Sequence, residues 1–197
     1  MKIKVCGTND AVFAAEAARL GVDYLGFIFE PSSPRYVTVE KARSICSCLK
    51  QRHEAIDSSA SLRLCVKNKP VLVGVFVRET PAEIIATMRR VGLDVVQLHR
   101  RASGEDVAAL KHAGYEVWTL AGGAEGDGVL FDSSHGDGDT AFRTGGFKSI
   151  LAGRIGVENV ANALALNPDI IDVNSSLETA PGVKSAILLA GFLTKIH

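Results

Sequence analysis

Side chains that can transfer protons follow several short apolar runs of this 197-residue chain. Cys6 lies at the end of the first run, His99 follows the fourth and Asp132 ends the sixth. The carboxyl ends of parallel strands share one edge of an α/β sheet, where catalytic groups gather. Cys6 at that edge is therefore a candidate catalytic group, and Asp132 is expected at the same edge if the sheet closes. A structural role for Cys6 is the alternative, because a free cysteine often packs as a small buried hydrophobe.

Two further side chains have a binding and a structural interpretation. Arg35 lies in a loop stiffened by Pro31 and Pro34, just beyond the second apolar run, and could hold a carboxylate or a phosphate with two hydrogen bonds. An exposed, solvated arginine is the alternative. His99 could donate a hydrogen bond to a substrate oxygen, or it could anchor its own loop.

The elements that must position these residues are buried parallel strands. The apolar runs at residues 2–7, 23–29, 71–77, 94–99, 115–120, 128–132, 150–153 and 169–173 predict eight strands, most of them followed by helical periodicity. The connection at residues 121–128 is too short and too rich in glycine for a helix. We therefore predict one (β/α)8 barrel domain over residues 1–197, lacking the helix after strand five. A doubly wound open sheet is less favoured, since no G-x-G-x-x-G follows strand one.

The amino-acid composition limits the classes of binding partner and indicates the cellular compartment of the protein. Lysine plus arginine equals aspartate plus glutamate at 22 each, so overall charge recruits neither nucleic acid nor an anionic membrane. The four cysteines have no C-x-x-C spacing and predict neither a zinc site nor a disulfide framework. With no apparent signal peptide or membrane span, we expect a cytoplasmic protein. Residues 50–68 predict a helix end followed by a polar surface excursion.

The ordered set of strand ends resembles the phosphoribosylanthranilate isomerase family of tryptophan biosynthesis. Each matching piece is short, but their order and spacing extend over nearly the whole chain. The pieces are Lys4-Val5-Cys6-Gly7, Gly26-Phe27-Ile28-Phe29, Ser33-Pro34-Arg35-Tyr36-Val37, Gly74-Val75-Phe76-Val77, Gln97-Leu98-His99, Leu130-Phe131-Asp132-Ser133, Leu151-Ala152-Gly153 and Asp172-Val173-Asn174-Ser175.

This resemblance implies an Amadori rearrangement of N-(5-phosphoribosyl)anthranilate, with no metal or organic cofactor. Asp132 matches the family's general acid and Cys6 its general base. A thiolate near neutral pH is a soft, weakly hydrated base, and partial desolvation favours a protonated carboxyl. Arg35 matches the arginine that meets the anthranilate carboxylate, and Asp172 matches an aspartate of the substrate site. His99 is the candidate donor to a substrate oxygen.

The substrate phosphate is expected at the loops after strands six, seven and eight, where backbone N–H groups can bind an anion. The candidate contributors are Gly136, Gly138, Gly153, Ser175 and Ser176. Some positions depart from the family pattern: Thr8 directly after Gly7, Arg100 for a glycine, Arg154 for a glycine, Asn174 for a serine, Ser176 for a glycine, and Phe142-Arg143-Thr144 in the strand-six loop. Arg154 could compensate by contacting the phosphate itself.

Three functions follow from these observations. The first is the phosphoribosylanthranilate isomerase reaction, by a monomer or a homodimer. The second is a related sugar-phosphate isomerase or epimerase on the same barrel, against which Arg35 argues as an anchor for an aryl carboxylate. The third is a barrel that only binds a phosphorylated ligand or a protein partner, as the altered loops after strands seven and eight would permit.

Overall fold

The computed structural model describes residues 1–58, 69–132 and 146–196, with residues 51–58 described as helical backbone only. Eight parallel strands form a closed barrel in chain order, and β1 pairs with β8. The strands are β1 Lys2–Val5, β2 Tyr24–Ile28, β3 Val71–Phe76, β4 Val95–Leu98, β5 Glu116–Leu120, β6 Gly128–Asp132, β7 Lys148–Ala152 and β8 Ile170–Val173. The predicted (β/α)8 barrel is therefore confirmed, and the open doubly wound sheet is excluded.

Helices cover the outside of the barrel: α1 Ala11–Arg19, α2 Val39–Ser58, α3 Pro81–Val91, α4 Gly104–His112, α5 Val160–Ala165 and α6 Ala186–Leu193. Residues 121–127 between β5 and β6 contain no helix, as predicted. Helix α2 continues to Ser58, so residues 50–58 form the predicted helix end; residues 59–68 and the β6–β7 connection at residues 133–145 lie outside the described part. None of the helices described is long and apolar enough to span a bilayer.

The strands are apolar on both faces because the barrel separates two cores. Inside the barrel, a cluster around Trp118, Tyr24 and Ile170 fills the end near the strand starts. Outside, strand residues such as Leu25 and Val96 pack against the helices in a larger cluster. The inner cluster closes that end, so among the described residues the open end of the barrel lies at the carboxyl ends of the strands.

Four aspartates tie the strands together at the opposite end. Each directly precedes an even-numbered strand and accepts a hydrogen bond from a backbone N–H at the start of the preceding odd-numbered strand. The pairs are Asp23 with Ile3, Asp94 with Leu72, Asp127 with Val117 and Asp169 with Ser149, at 2.8 to 3.0 Å. This alternation divides the barrel into four two-strand units. The four hydrogen bonds, called the aspartate locks below, help to fix the register of the strands.

The segment after β8 has more structure than the polar loop predicted for residues 174–182. It contains a 3₁₀ turn, Ser175–Leu177, and a short antiparallel pair, β9 Glu178–Ala180 and β10 Val183–Lys184. Gly182, at φ +81°, makes the turn, and a Cβ there would lie 2.3 Å from the carbonyl oxygen of Pro34. This hairpin therefore packs tightly against the Arg35 loop.

Candidate active site

A cavity of about 510 Å³ opens at the carboxyl ends of the strands. The predicted residues that line it are Cys6, Arg35, His99, Asp132, Gly153, Arg154, Asp172 and Ser175. They come from the ends of six different strands or the loops that follow, so closure of the barrel is what brings them together. Other lining residues include Glu30, Gln97 and Asn174.

Cys6 immediately follows β1, and its N–H donates to the carbonyl of Val173 at 2.9 Å, which extends the β1–β8 pairing. The next residue, Gly7, has φ +74°, and a Cβ there would lie 2.8 Å from Cδ of Arg35. The Cys-Gly step therefore serves two purposes: it exposes the thiol to the cavity and allows Arg35 to pack over the turn.

Burial raises the pKa of the Cys6 thiol above its ordinary value, while the charges of Lys4 and Lys184 act to lower it. The reason is desolvation, since only 6% of the residue is exposed. Positive charge beside the sulfur favours the thiolate form that a base requires.

Asp132 is the last residue of β6, three strand positions from β1 around the barrel, so it faces Cys6 across the mouth. His99, after β4, has its Nε2 atom 4.0 Å from Oδ2 of Asp132. That distance is too long for a hydrogen bond but short enough for attraction if the imidazole is protonated. The histidine and the carboxyl thus share one wall of the cavity.

Arg35 is held in place by an internal carboxylate. Its Nε donates to Oε1 of Glu178 at 2.7 Å and its Nη2 to Oε2 at 2.8 Å. Lys184 donates to Oε1 of Glu178 at 2.8 Å and to Oδ1 of Asn174 at 2.7 Å. One edge of the guanidinium is therefore occupied, and a ligand carboxylate would have to meet the side of Nη1.

Asp172 lies on β8 opposite Lys4, and Nζ of Lys4 donates to Oδ2 of Asp172 at 2.6 Å. Oδ1 of Asp172 is buried and has no hydrogen-bond partner among the described residues. The same holds for Oε1 of Gln97 and Oε2 of Glu30, which also line the cavity. Unpaired buried acceptors are costly, and hydroxyl groups of a sugar would satisfy them.

The predicted phosphate contributors divide into three groups. Gly153, Arg154 and Ser175 line the cavity. Ser176 is not among the lining residues, and its hydroxyl donates to the carbonyl of Ile155 at 2.5 Å. Gly136 and Gly138 lie outside the described residues.

Arg154 has an unusual backbone conformation at this position. Its φ is +52°, a left-handed conformation that few residues other than glycine, asparagine and aspartate adopt. Its side chain is exposed. A glycine at this position would adopt the left-handed conformation without strain. An arginine in this conformation places a positive charge at the cavity mouth at a cost of about 1 kcal/mol.

Sequence reasoning missed three charged residues of the site: Lys4, Glu178 and Lys184. Lys4 had a usable signal, because a charge at an inward position of a strand buried on both faces needs a partner. Glu178 had none, since it meets Arg35 only because the hairpin after β8 packs against the loop after β2.

The closed barrel and the cavity at its carboxyl rim, lined by carboxyl, thiol, imidazole and guanidinium groups, define the chain as a (β/α)8-barrel enzyme. The model of the N-(5'-phosphoribosyl)anthranilate isomerase family matches residues 3–195. The family's isomerase from Rubrobacter xylanophilus is 34% identical over 217 residues, which cover 98% of this chain and 97% of that protein. This chain therefore belongs to the N-(5'-phosphoribosyl)anthranilate isomerase family.

Solved structures agree with this assignment. The crystal structure of the Thermus thermophilus enzyme is 30% identical with a TM-score of 0.77 and covers 100% of this chain and 98% of that one. A complex of a phosphoribosylanthranilate isomerase with reduced 1-(o-carboxyphenylamino)-1-deoxyribulose 5-phosphate is 26% identical, with a TM-score of 0.75, and covers 99% and 97% of the two chains.

Proposed function

We propose that this chain converts N-(5-phosphoribosyl)anthranilate to 1-(2-carboxyphenylamino)-1-deoxyribulose 5-phosphate, with Asp132 as the general acid and Cys6 as the general base. The observation that carries the proposal is the placement of these two groups across one cavity that also contains Arg35 and Arg154. The substrate has an aryl carboxylate at one end and a phosphate at the other, so it needs a cation at each end and proton transfer between them.

The chemistry requires two proton transfers by the protein. Asp132 gives a proton to the ribose ring oxygen as the bond from that oxygen to C1 breaks and the nitrogen lone pair forms a C1=N bond. Cys6, as the thiolate, then takes the proton from C2; the electrons of that C–H bond form C1=C2, and those of the C1=N bond return to nitrogen. The resulting enol becomes the ketone when its hydroxyl proton is lost and C1 is protonated.

The intermediate explains how a buried thiol can serve as a base. The ring-opened Schiff base is a cation, and it forms beside the Cys6 sulfur. Its charge adds to those of Lys4 and Lys184, which already favour the thiolate. The base would thus become stronger in the step that uses it.

The ligand contacts follow from the lining residues. We assign the aryl carboxylate to the Nη1 side of Arg35, substrate hydroxyls to Asp172 and His99, and the phosphate to Gly153, Arg154 and Ser175. Gly136 and Gly138 remain predicted phosphate contacts, and Ser176 could contribute only through its backbone.

Steady-state turnover of freshly generated N-(5-phosphoribosyl)anthranilate tests the proposal. Cys6→Ala and Asp132→Asn should each lower kcat by at least about a hundredfold, the usual contribution of a proton-transfer group. Cys48→Ala is the matched control, because Cys48 is an exposed thiol on α2. A wild-type chain without turnover would refute the function, and a fully active Cys6→Ala variant would refute the assigned base.

We further infer that the chain acts as one domain, as a cytoplasmic monomer or homodimer. The first and last strands of the barrel pair with each other, β1 with β8, and Cys6, Cys46 and Cys48 are free thiols, as a reducing compartment favours. The related enzyme from Thermotoga maritima is described as dimeric. Light scattering on the purified chain distinguishes the two assembly states.

A further inference from the structure

Lys4 occupies a position where a lysine is rarely found. It lies on β1 two residues before Cys6, so both side chains point to the inside of the barrel. Its side chain is fully buried, at 0% exposure. Lysines are almost never buried to this extent without a partner, and so the contacts of its ammonium group define what it does.

Two groups of the site share that ammonium. Oδ2 of Asp172 accepts its hydrogen bond at 2.6 Å, and the Cys6 sulfur lies beside it. Gly26 of β2 leaves room for this arrangement, since a Cβ there would lie 3.1 Å from the Cys6 sulfur and 3.2 Å from Nζ of Lys4. Asp172 therefore orients the ammonium, and the open face of Gly26 lets it reach the thiol.

The charges around the thiol favour its ionised form. The charged side chains that act on it among the described residues are Lys4 on β1, Asp172 on β8, Lys184 on β10 and Arg35 after β2. Glu178 neutralises one of the last two cations. These three cations and two carboxylates sum to +1, so a thiolate brings this group of side chains to zero. Asp132 and His99 lie on the opposite wall of the cavity and are not part of this sum. Among these three cations, Lys4 is the one whose ammonium also forms a hydrogen bond with the thiol.

We propose that Lys4 is a positioning residue for Cys6: its ammonium, oriented by Asp172, supplies the buried positive charge that allows the thiol to become a thiolate. The inference rests on the proposed role of Cys6 as the base. A purely structural ion pair between β1 and β8 would stabilise the barrel but would leave the titration of Cys6 unchanged.

The test measures alkylation of Cys6 by iodoacetamide between pH 6 and 10 in the ligand-free chain, read at the Cys6 peptide by mass spectrometry. Lys4→Met should slow alkylation at pH 8 at least about tenfold, because each unit of increase in the thiol pKa removes nine tenths of the thiolate. Lys4→Arg should restore most of the rate. Asp172→Asn should shift the profile in the opposite direction, since its carboxylate opposes the thiolate.

Lys2→Met is the matched control, as Lys2 lies on the same strand with an exposed side chain. It should leave the alkylation profile unchanged. Lys4→Met leaves the Asp172 carboxylate buried without its cation and could fail to fold. The comparison is therefore repeated between Asp172→Asn and the double variant Lys4→Met/Asp172→Asn, with near-ultraviolet circular dichroism as the check on folding.

If the double variant is folded and alkylates like Asp172→Asn, the proposal is overturned. If it alkylates at least about tenfold more slowly at pH 8, the proposal is supported. Alkylation requires no turnover, so the result is separate from that for the proposed function. A chain that shifts as expected but does not isomerise the substrate would refute the function and leave this inference intact.

Discussion

Arg35 and Glu178 are 143 residues apart in the chain and form a two-bond ion pair at 2.7 and 2.8 Å beside the cavity. The carboxylate is almost fully buried, at 4% exposure, and the guanidinium is 21% exposed. Glu178 therefore sets the direction in which Arg35 presents its remaining N–H groups to a ligand. The anchor predicted for the aryl carboxylate is thus a pair of residues from two distant loops.

Glu178→Gln should raise KM for the aminoaldose substrate about tenfold with a smaller effect on kcat. The amide keeps the shape but loses one accepting oxygen and the charge, so Arg35 is less firmly held. Steady-state kinetics check this, with Glu16→Gln as the matched control. Glu16 pairs with Arg19 at 2.6 Å on the exposed face of α1, where such a pair has little effect. An unchanged KM in Glu178→Gln would contradict the positioning role.

Glu178 also makes part of the free energy of unfolding depend on pH. Burial raises the pKa of this carboxyl, but hydrogen bonds from Arg35 and Lys184 outweigh that effect and lower it below its ordinary value. A depressed folded-state pKa stabilises the fold above the unfolded-state value near 4.5, and this contribution is lost as pH falls through the folded-state pKa. Urea unfolding from pH 7 to pH 3 should show the gap between wild type and Glu178→Gln narrowing below pH 4.5. A constant gap would contradict the expectation.

Substitutions of Arg154 test whether its side chain binds the phosphate of the substrate. Arg154→Gly and Arg154→Asn both suit a backbone at φ +52° and both remove the charge. Each should weaken binding of reduced 1-(o-carboxyphenylamino)-1-deoxyribulose 5-phosphate, an analogue of the product, at least about tenfold. The reason is that a hydrogen bond to a charged group contributes about 1.5–3 kcal/mol. Each should also raise the melting temperature slightly as backbone strain is relieved. Arg154→Lys is the control that keeps the charge, and titration calorimetry is the measurement.

If Arg154→Gly binds the analogue as tightly as wild type, the side chain does not contact the phosphate. In that case Gly153 and Ser175 would be the contacts that the described part of the cavity offers. A tighter complex in Arg154→Gly would mean that the arginine hinders the phosphate.

The barrel and the placement of Cys6 and Asp132 at its rim could be predicted from the sequence because they depend on local patterns. Apolar runs mark strands buried on both faces, and the residue at the carboxyl end of each is directed to the rim. Cys6 and Asp132 are of this kind. The contacts around them depend on tertiary placement. Glu178 reaches Arg35 through the β9–β10 hairpin, and the polar sequence of that segment predicts a loop instead of a hairpin.

The protonation of Cys6 could not be derived from the sequence either. Its position predicted a reactive thiol, but the direction of its pKa depends on the balance between burial and surrounding charge. Burial is a property of the closed barrel, and the opposing lysines come from β1 and β10.

The aspartate locks at the closed end give a prediction for stability that does not involve the site. Oδ2 of Asp169 accepts from both the N–H and the hydroxyl of Ser149 at 2.8 Å, and the N–H of Asp169 donates back to that hydroxyl at 3.1 Å. Asp169→Ala should lower the free energy of unfolding by about 2 kcal/mol, since it leaves the Ser149 N–H at the start of β7 without its partner. Ser149→Ala should cost less, about 1 kcal/mol, because the backbone hydrogen bond survives.

The same lock should fail in acid. Hydrogen bonds from the Ser149 backbone and hydroxyl lower the pKa of Asp169 below its ordinary value of 3.8. Its stabilising effect is therefore present above pH 3.8 and is lost as pH falls through the folded-state pKa. Unfolding curves at pH 7 and pH 3 should show a smaller difference between wild type and Asp169→Ala at the lower pH. Equal differences at the two pH values would mean that the ionised carboxylate is not what holds β7 to β8. Turnover of the folded variants at pH 7 should stay at the wild-type level, because this hydrogen bond lies at the end of the barrel opposite the cavity.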